Sequence, residues 1–126
     1  MMQVINLTQH TPTPAQAAEV VFVTLPDDVR AQVLDLITFA PAEVNYETLR
    51  ERSDTLARIA ANSGADYAMI GGAPFFQSHL ENALLAQGVG FCYALSERVA
   101  RDEVQADGSV RKVSVFEHAG FYFSPE

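Results

Sequence analysis

Short apolar runs along the chain alternate with longer segments whose apolar residues recur every three or four positions. That alternation predicts a domain of repeated βα units. Val4, Ile5 and Leu7 mark a first strand over 3–8. In the Thr13-Pro14-Ala15-Gln16 segment, Thr13 can cap a helix, Pro14 suits its first position and Gln16 completes a capping box, so a short helix of about two turns is expected. The β-branched run over 19–24 reads as a second strand buried on both faces. Pro26-Asp27-Asp28 opens a helix striped by Val29, Val33, Leu36 and Ile37, and Pro41 interrupts it. Asn45 can cap a longer helix that turns Leu49, Leu56, Ile59 and Ala60 inward and leaves Arg50, Glu51, Arg52 and Asp54 as its solvated side.

Gly64 closes that helix, and 65–70 reads as a third strand. Gly71-Gly72-Ala73-Pro74 turns the chain into a helix bearing Leu80, Ala83, Leu84 and Leu85, which Gly88 ends. A fourth strand follows over 91–95. Near the C-terminus, 99–105 and 109–116 flank Asp107-Gly108, a two-residue hairpin signal. The 126 residues fit one domain spanning 1–126. The expected fold is α/β: a single Rossmann-like domain with a mostly parallel sheet, helices on both faces and a C-terminal antiparallel β-hairpin. Right-handed crossovers then put the loops after Thr8, Ile70 and Leu95 on one rim, where open parallel sheets bind ligands.

Composition narrows the function classes. The formal net charge of −8 argues against a duplex nucleic-acid surface, which needs clustered Lys and Arg. No stretch approaches the length of a membrane span, and the first residues lack a basic secretory n-region. The single cysteine, Cys92, lies in an apolar run and cannot form an internal disulfide, so a reducing, cytoplasmic setting is expected. No Cys/His set has zinc spacing, no nucleophile elbow is present and the carboxylates fall mostly on helix surfaces. Neither a metal nor a cofactor is expected.

Candidate chemistry gathers at the expected rim. Thr8, Gln9, His10 and Thr11 bring hydroxyls, an amide and an imidazole into one strand-to-helix loop. Gly71, Gly72 and Ala73 precede a helix whose positive end favours an anion, although a tight turn for close packing explains the glycines equally well. Ser96 and Arg98 follow the fourth strand, where a guanidinium suits phosphate, unless Arg98 pairs with Glu97 or Glu103 instead. His118 comes just after the hairpin strand and, like His10, is a residue type suited to general acid–base work, although a satisfied structural histidine explains it equally well. His79 falls on a helix beside Leu80 and reads as structural.

Taken in order, these segments resemble small stand-alone CRISPR-associated Rossmann-fold (CARF-like) proteins of the ring-nuclease type. His10, Thr11, Thr13 and Gln16 match a Ser-His-Thr-x-Thr-x-x-Gln-like segment, with Gln9 where a serine is expected and Pro12 also departing. Gly72 matches the glycine loop, while Ala73 replaces a polar residue. Tyr93, Ala94 and Arg98 match a Tyr-Ala-x-x-x-Arg segment, and Val115, Phe116 and His118 match a Val-Phe-x-His ending. The resemblance implies a homodimer that binds cyclic oligoadenylate messengers of antiviral defence. It also implies metal-free cleavage in which a ribose 2′-hydroxyl attacks phosphorus, Arg98 and the Gly71 and Gly72 amides stabilise charge, and His10 or His118 moves protons. The departures at Gln9 and Ala73 leave open a non-catalytic nucleotide sensor or sponge. The acidic balance leaves open a protein-interaction module of phage or plasmid origin.

Overall fold

The computed structural model describes residues 1–125. Strands β1 (Gln3–Asn6), β2 (Val21–Phe22), β3 (Tyr67–Met69), β4 (Gly90–Val104) and β5 (Val110–Phe123) form one sheet in the order β2-β1-β3-β4-β5. The first four are parallel, and β5 returns antiparallel along β4. Helices α1 (Pro14–Ala17), α2 (Asp27–Leu36), α3 (Tyr46–Asn62) and α4 (Pro74–Ala86) fill the crossovers, with a 3₁₀ turn at Pro41–Glu43. The expected α/β architecture with a C-terminal hairpin is therefore present. No helix among the described residues is long and apolar enough to cross a membrane.

Strand alternation divides the core in two. Ile5, Ala68 and Phe91 point into a large cluster with Val33, Leu56, Leu80 and Leu84 of α2, α3 and α4. Val4, Met69 and Cys92 point the other way, into a small cluster with Val20, edged by Phe22, Tyr67, Phe121 and Phe123. The topology accounts for this inequality. The first crossover steps from β1 outward to β2, and the later ones step in the opposite direction. With right-handed crossovers, α1 must then lie on the face opposite α2, α3 and α4. Burial in the small cluster pushes the Cys92 thiol up to about 12.

Asn45 caps α3 by accepting the Thr48 amide, as expected, and α3 buries Leu49, Leu56 and Ala60. Other expectations need correction. α1 is a single turn, because it buries no residue and has no apolar stripe to extend it. β2 is a two-residue edge strand with Val21 44% exposed, so the β-branched run is not buried on both faces.

The largest departure is at β4. It does not end at Leu95 but continues to Val104, paired along its length with β5. Ser96 and Arg98 therefore lie inside a strand and not in a rim loop. No glycine or proline interrupts 96–104, and β5 supplies the backbone partners, so nothing stops the strand. A register shift between Leu95 and Ser96 makes a bulge in which Ala119 is the extra residue. The hairpin turn is also longer than the Asp107-Gly108 signal suggests. The Gln105 amide donates to the Ser109 carbonyl at 2.7 Å, leaving Ala106, Asp107 and Gly108 as a three-residue loop. His118 sits within β5, not after it.

Candidate functional site

At the carboxyl ends of β1 and β3 the crossovers leave in opposite directions, and a cavity of about 830 Å³ opens between them. Its position is the switch point at which open α/β sheets bind ligands, and its volume lies in the range of small-molecule pockets.

The loop after β1 supplies the polar wall, with Thr8, Gln9, His10, Thr11, Thr13 and Gln16. An Asx-type turn shapes it: Asn6 Oδ1 accepts from the Thr8 amide at 2.9 Å and the Thr8 hydroxyl at 2.7 Å. Asn6 Nδ2 donates to the His10 carbonyl at 2.7 Å. Arg30 of α2 holds the same loop from below by donating to the Asn6 and Thr8 carbonyls at 3.0 and 2.8 Å. Thr13 and Gln16 form the capping box the sequence predicts. Against this fixed backbone the exposed His10 imidazole makes no hydrogen bond or ion pair among the described residues. Gln9 reaches across to Thr38, with 3.3 Å between Nε2 and Oγ1.

The loop after β3 supplies Gly71, Gly72 and Ala73. No acceptor among the described residues takes the backbone N–H of any of the three. Gly72 has φ +118°, a conformation side-chain-bearing residues rarely adopt. Ala73 is the N-cap of α4 and offers no side-chain cap, so the positive end of this helix faces the cavity undiminished.

A third wall is apolar: Ile37, Phe39, Phe75, Phe76 and Leu80. Phe39 packs edge-on against Phe75 and Phe76, with centroids 5.5 and 4.9 Å apart. Arg52, expected on a solvated helix side, instead lies 4.8 Å over the Phe39 ring, donates to the Thr38 carbonyl at 2.8 Å and pairs with Glu43. The Glu43 carboxyl is held below its usual range by the Ala40 amide first and then by Arg52. Tyr93 closes the cavity beside Ala94. Burial, with the Glu81 carboxylate that its hydroxyl contacts, raises its pKa far above the ordinary tyrosine value.

Among the described residues the lining holds no Asp, Glu, Lys or Arg, although the chain carries a net charge of −8. His10 and Tyr93 are its titratable side chains. No group of three or more His, Cys, Asp or Glu able to hold a metal ion occurs among the described residues. A family model described as "Uncharacterized protein MJ1673 family" matches residues 2–122. The chain belongs to the MJ1673 family. No curated protein and no solved structure matches it.

In this MJ1673-family chain, the segments around His10 and Gly72 meet as expected, and Thr8, Gln9, Thr11, Gly71 and Ala73 line the same cavity. Arg98, Ser96 and His118 do not line it. Arg98 stands on the β4–β5 arm, its guanidinium 5.3 Å from the Phe116 ring centroid, and Ser96 is register partner to His118. The His118 Nε2 lies 2.8 Å from Glu19 Oε1, and its ring packs on Phe121. That contact ties β5 to the end of the α1 segment. His79 packs against Tyr46, in keeping with a structural role. Sequence reasoning missed Arg30, Thr38, Phe39 and Gln77. The first two act through tertiary contacts that carry no local signal. Gln77, four residues after the N-cap, was open to a helical-spacing argument.

Proposed function

We propose that this protein binds cyclic oligoadenylate at the β1–β3 cavity and opens the ring without a metal, as the ring-nuclease-type CARF-like proteins it resembles do. The observation that carries the reading is the row of unbonded N–H groups at Gly71, Gly72 and Ala73, set on an uncapped helix end opposite the His10 imidazole. Such a row is a built receptor for a phosphate, and it needs no cationic side chain. The hydroxyls and amides of the β1 loop suit a ribose, and the phenylalanine wall suits a base.

In the reaction, His10 takes the proton of a ribose 2′-hydroxyl and the 2′-oxygen attacks the adjacent phosphorus. The phosphorus–O5′ bond breaks, the amides carry the charge on the non-bridging oxygens, and solvent protonates the departing 5′-oxygen. The products are a linear strand with a 2′,3′-cyclic phosphate and a free 5′-hydroxyl. The cavity holds one segment of the ring, so a homodimer presenting its rim twice completes the match to a symmetric ligand. The arm supplies exposed apolar surface for such pairing in Leu95, Val104, Val110 and Phe116. A cytoplasmic setting, where the messenger would be made, belongs to the same reading.

Incubating the protein with cyclic tri-, tetra- and hexa-adenylate and resolving products by mass spectrometry tests this directly. A cyclic-phosphate-ended linear product supports it, and rings left intact and unbound reject it. One observation favours a second reading, a sensor or sponge that binds without turnover. Among the described residues the lining offers no acid–base side chain besides His10 and Tyr93, and burial with the Glu81 carboxylate makes the Tyr93 proton hard to remove. Intact rings with measurable binding heat would select that alternative. Co-purification with a stoichiometric protein partner through the arm alone would favour an interaction module.

A further inference from the structure

Beside the apolar wall of the cavity lies a polar side chain that is half satisfied. Gln77 lies on the second turn of α4, and its Nε2 donates back to the Ala73 carbonyl at 3.2 Å. Its Oε1 is buried and no group among the described residues donates to it. A buried acceptor without a donor is rare enough in proteins to require a reason. Here the side chain lines the cavity and neighbours Phe75, Phe76 and Leu80 along the same helix. Phe75, packed on one side by Phe39, is still 44% exposed and leaves apolar surface open in the cavity wall.

We infer that Gln77 is a specificity-determining residue that accepts a hydrogen bond from an exocyclic amine of a base seated on the phenylalanine wall. Because Nε2 is committed to Ala73, the side chain offers the ligand an acceptor and no donor. A planar ring with an amine on its edge answers both features of this wall, its apolar face and its lone acceptor. A sugar hydroxyl would answer only the second. A 6-oxopurine in the same place would set oxygen against oxygen, so the wall selects a 6-aminopurine and rejects its deaminated analogue. Oε1 is buried, so the side chains beside it must part to admit the amine, while Nε2 keeps its bond to Ala73.

The inference rests on the ring-binding reading and sharpens it to one edge of the base. Its test is calorimetry with cyclic tetra-adenylate and cyclic tetra-inosinate, on the wild type, Gln77→Leu and Gln77→Glu. The wild type should prefer the adenylate ring by about tenfold or more, the worth of a hydrogen bond whose loss leaves a polar group unpaired. Gln77→Leu should erase the preference by weakening adenylate alone, while its melting temperature does not fall, because a buried unpaired acceptor has been removed. Gln77→Glu, which cannot donate to the Ala73 carbonyl and puts a negative charge beside the phosphate receptor, should weaken binding of both rings. Equal binding of the two rings by the wild type, or a preference that survives in Gln77→Leu, overturns the inference and leaves ring binding standing. Binding of neither ring overturns both.

Discussion

The Arg30 guanidinium donates to the carbonyl oxygen of Thr8 at 2.8 Å, across 22 residues of chain. With the companion bond to the Asn6 carbonyl, it fixes the strand end from which the His10 loop departs. The polar wall is therefore held by a residue that never touches the cavity. Replacing Arg30 with Ala leaves two part-buried carbonyls without a charged donor and should cost about 2 kcal/mol. Urea denaturation should show a lower midpoint, with Arg30→Lys recovering part of it. An unchanged midpoint would mean that the Asx turn alone holds the loop.

The two histidines should separate cleanly. His10→Ala should lower turnover by about 100-fold or more with an unchanged melting temperature, since its exposed imidazole makes no hydrogen bond or ion pair among the described residues. His118→Ala should do the reverse, lowering the melting temperature through the lost Glu19 and Phe121 contacts while single-turnover rates hold. Turnover lost in His118→Ala but kept in His10→Ala would move the chemistry to the arm.

Much of this was legible in the sequence, and the failures share a cause. The Thr13–Gln16 capping box, the Asn45 cap and the glycine loop are local signals, and each is where periodicity and capping put it. Arg98 was misplaced because Ser96-Glu97-Arg98 resembles a loop when read alone. It becomes a strand only because β5 returns to pair with it. Arg52 looked solvated for a similar reason. Helical spacing cannot show that Phe39 and the Thr38 carbonyl lie above it. Val21 misled in the opposite direction, since β-branching signals a strand but not its edge position.

Gly72→Ala isolates backbone strain, because nothing lies within 4 Å of the Cβ it would add and only φ +118° opposes it. The cost should be about 1–3 kcal/mol, read from chemical denaturation. Because the amide row is bent by that conformation, phosphate-ligand affinity should fall with it. Full stability and affinity in the variant would show that the loop relaxes freely.

Cys92 sets an alkaline limit. Its thiol stays protonated in the fold up to about 12, against 9.0 ordinarily, so the folded state binds the proton more tightly. Its contribution is present below the ordinary value and is lost as pH rises through that interval. Stability should therefore decline above pH 9, less so in Cys92→Ala. A disulfide reagent should react with the native protein no faster than it unfolds. Fast labelling at pH 8 would show that the small cluster opens.

The most direct test of the cavity as the ligand site is an amide correlation spectrum recorded while cyclic tetra-adenylate is added. Shifts should concentrate at Thr8–Thr11, Thr38–Phe39 and Gly71–Gln77, with the Gly71, Gly72 and Ala73 amides moving furthest. A spectrum that does not change, or changes confined to the arm between Ser96 and Phe116, would contradict that placement.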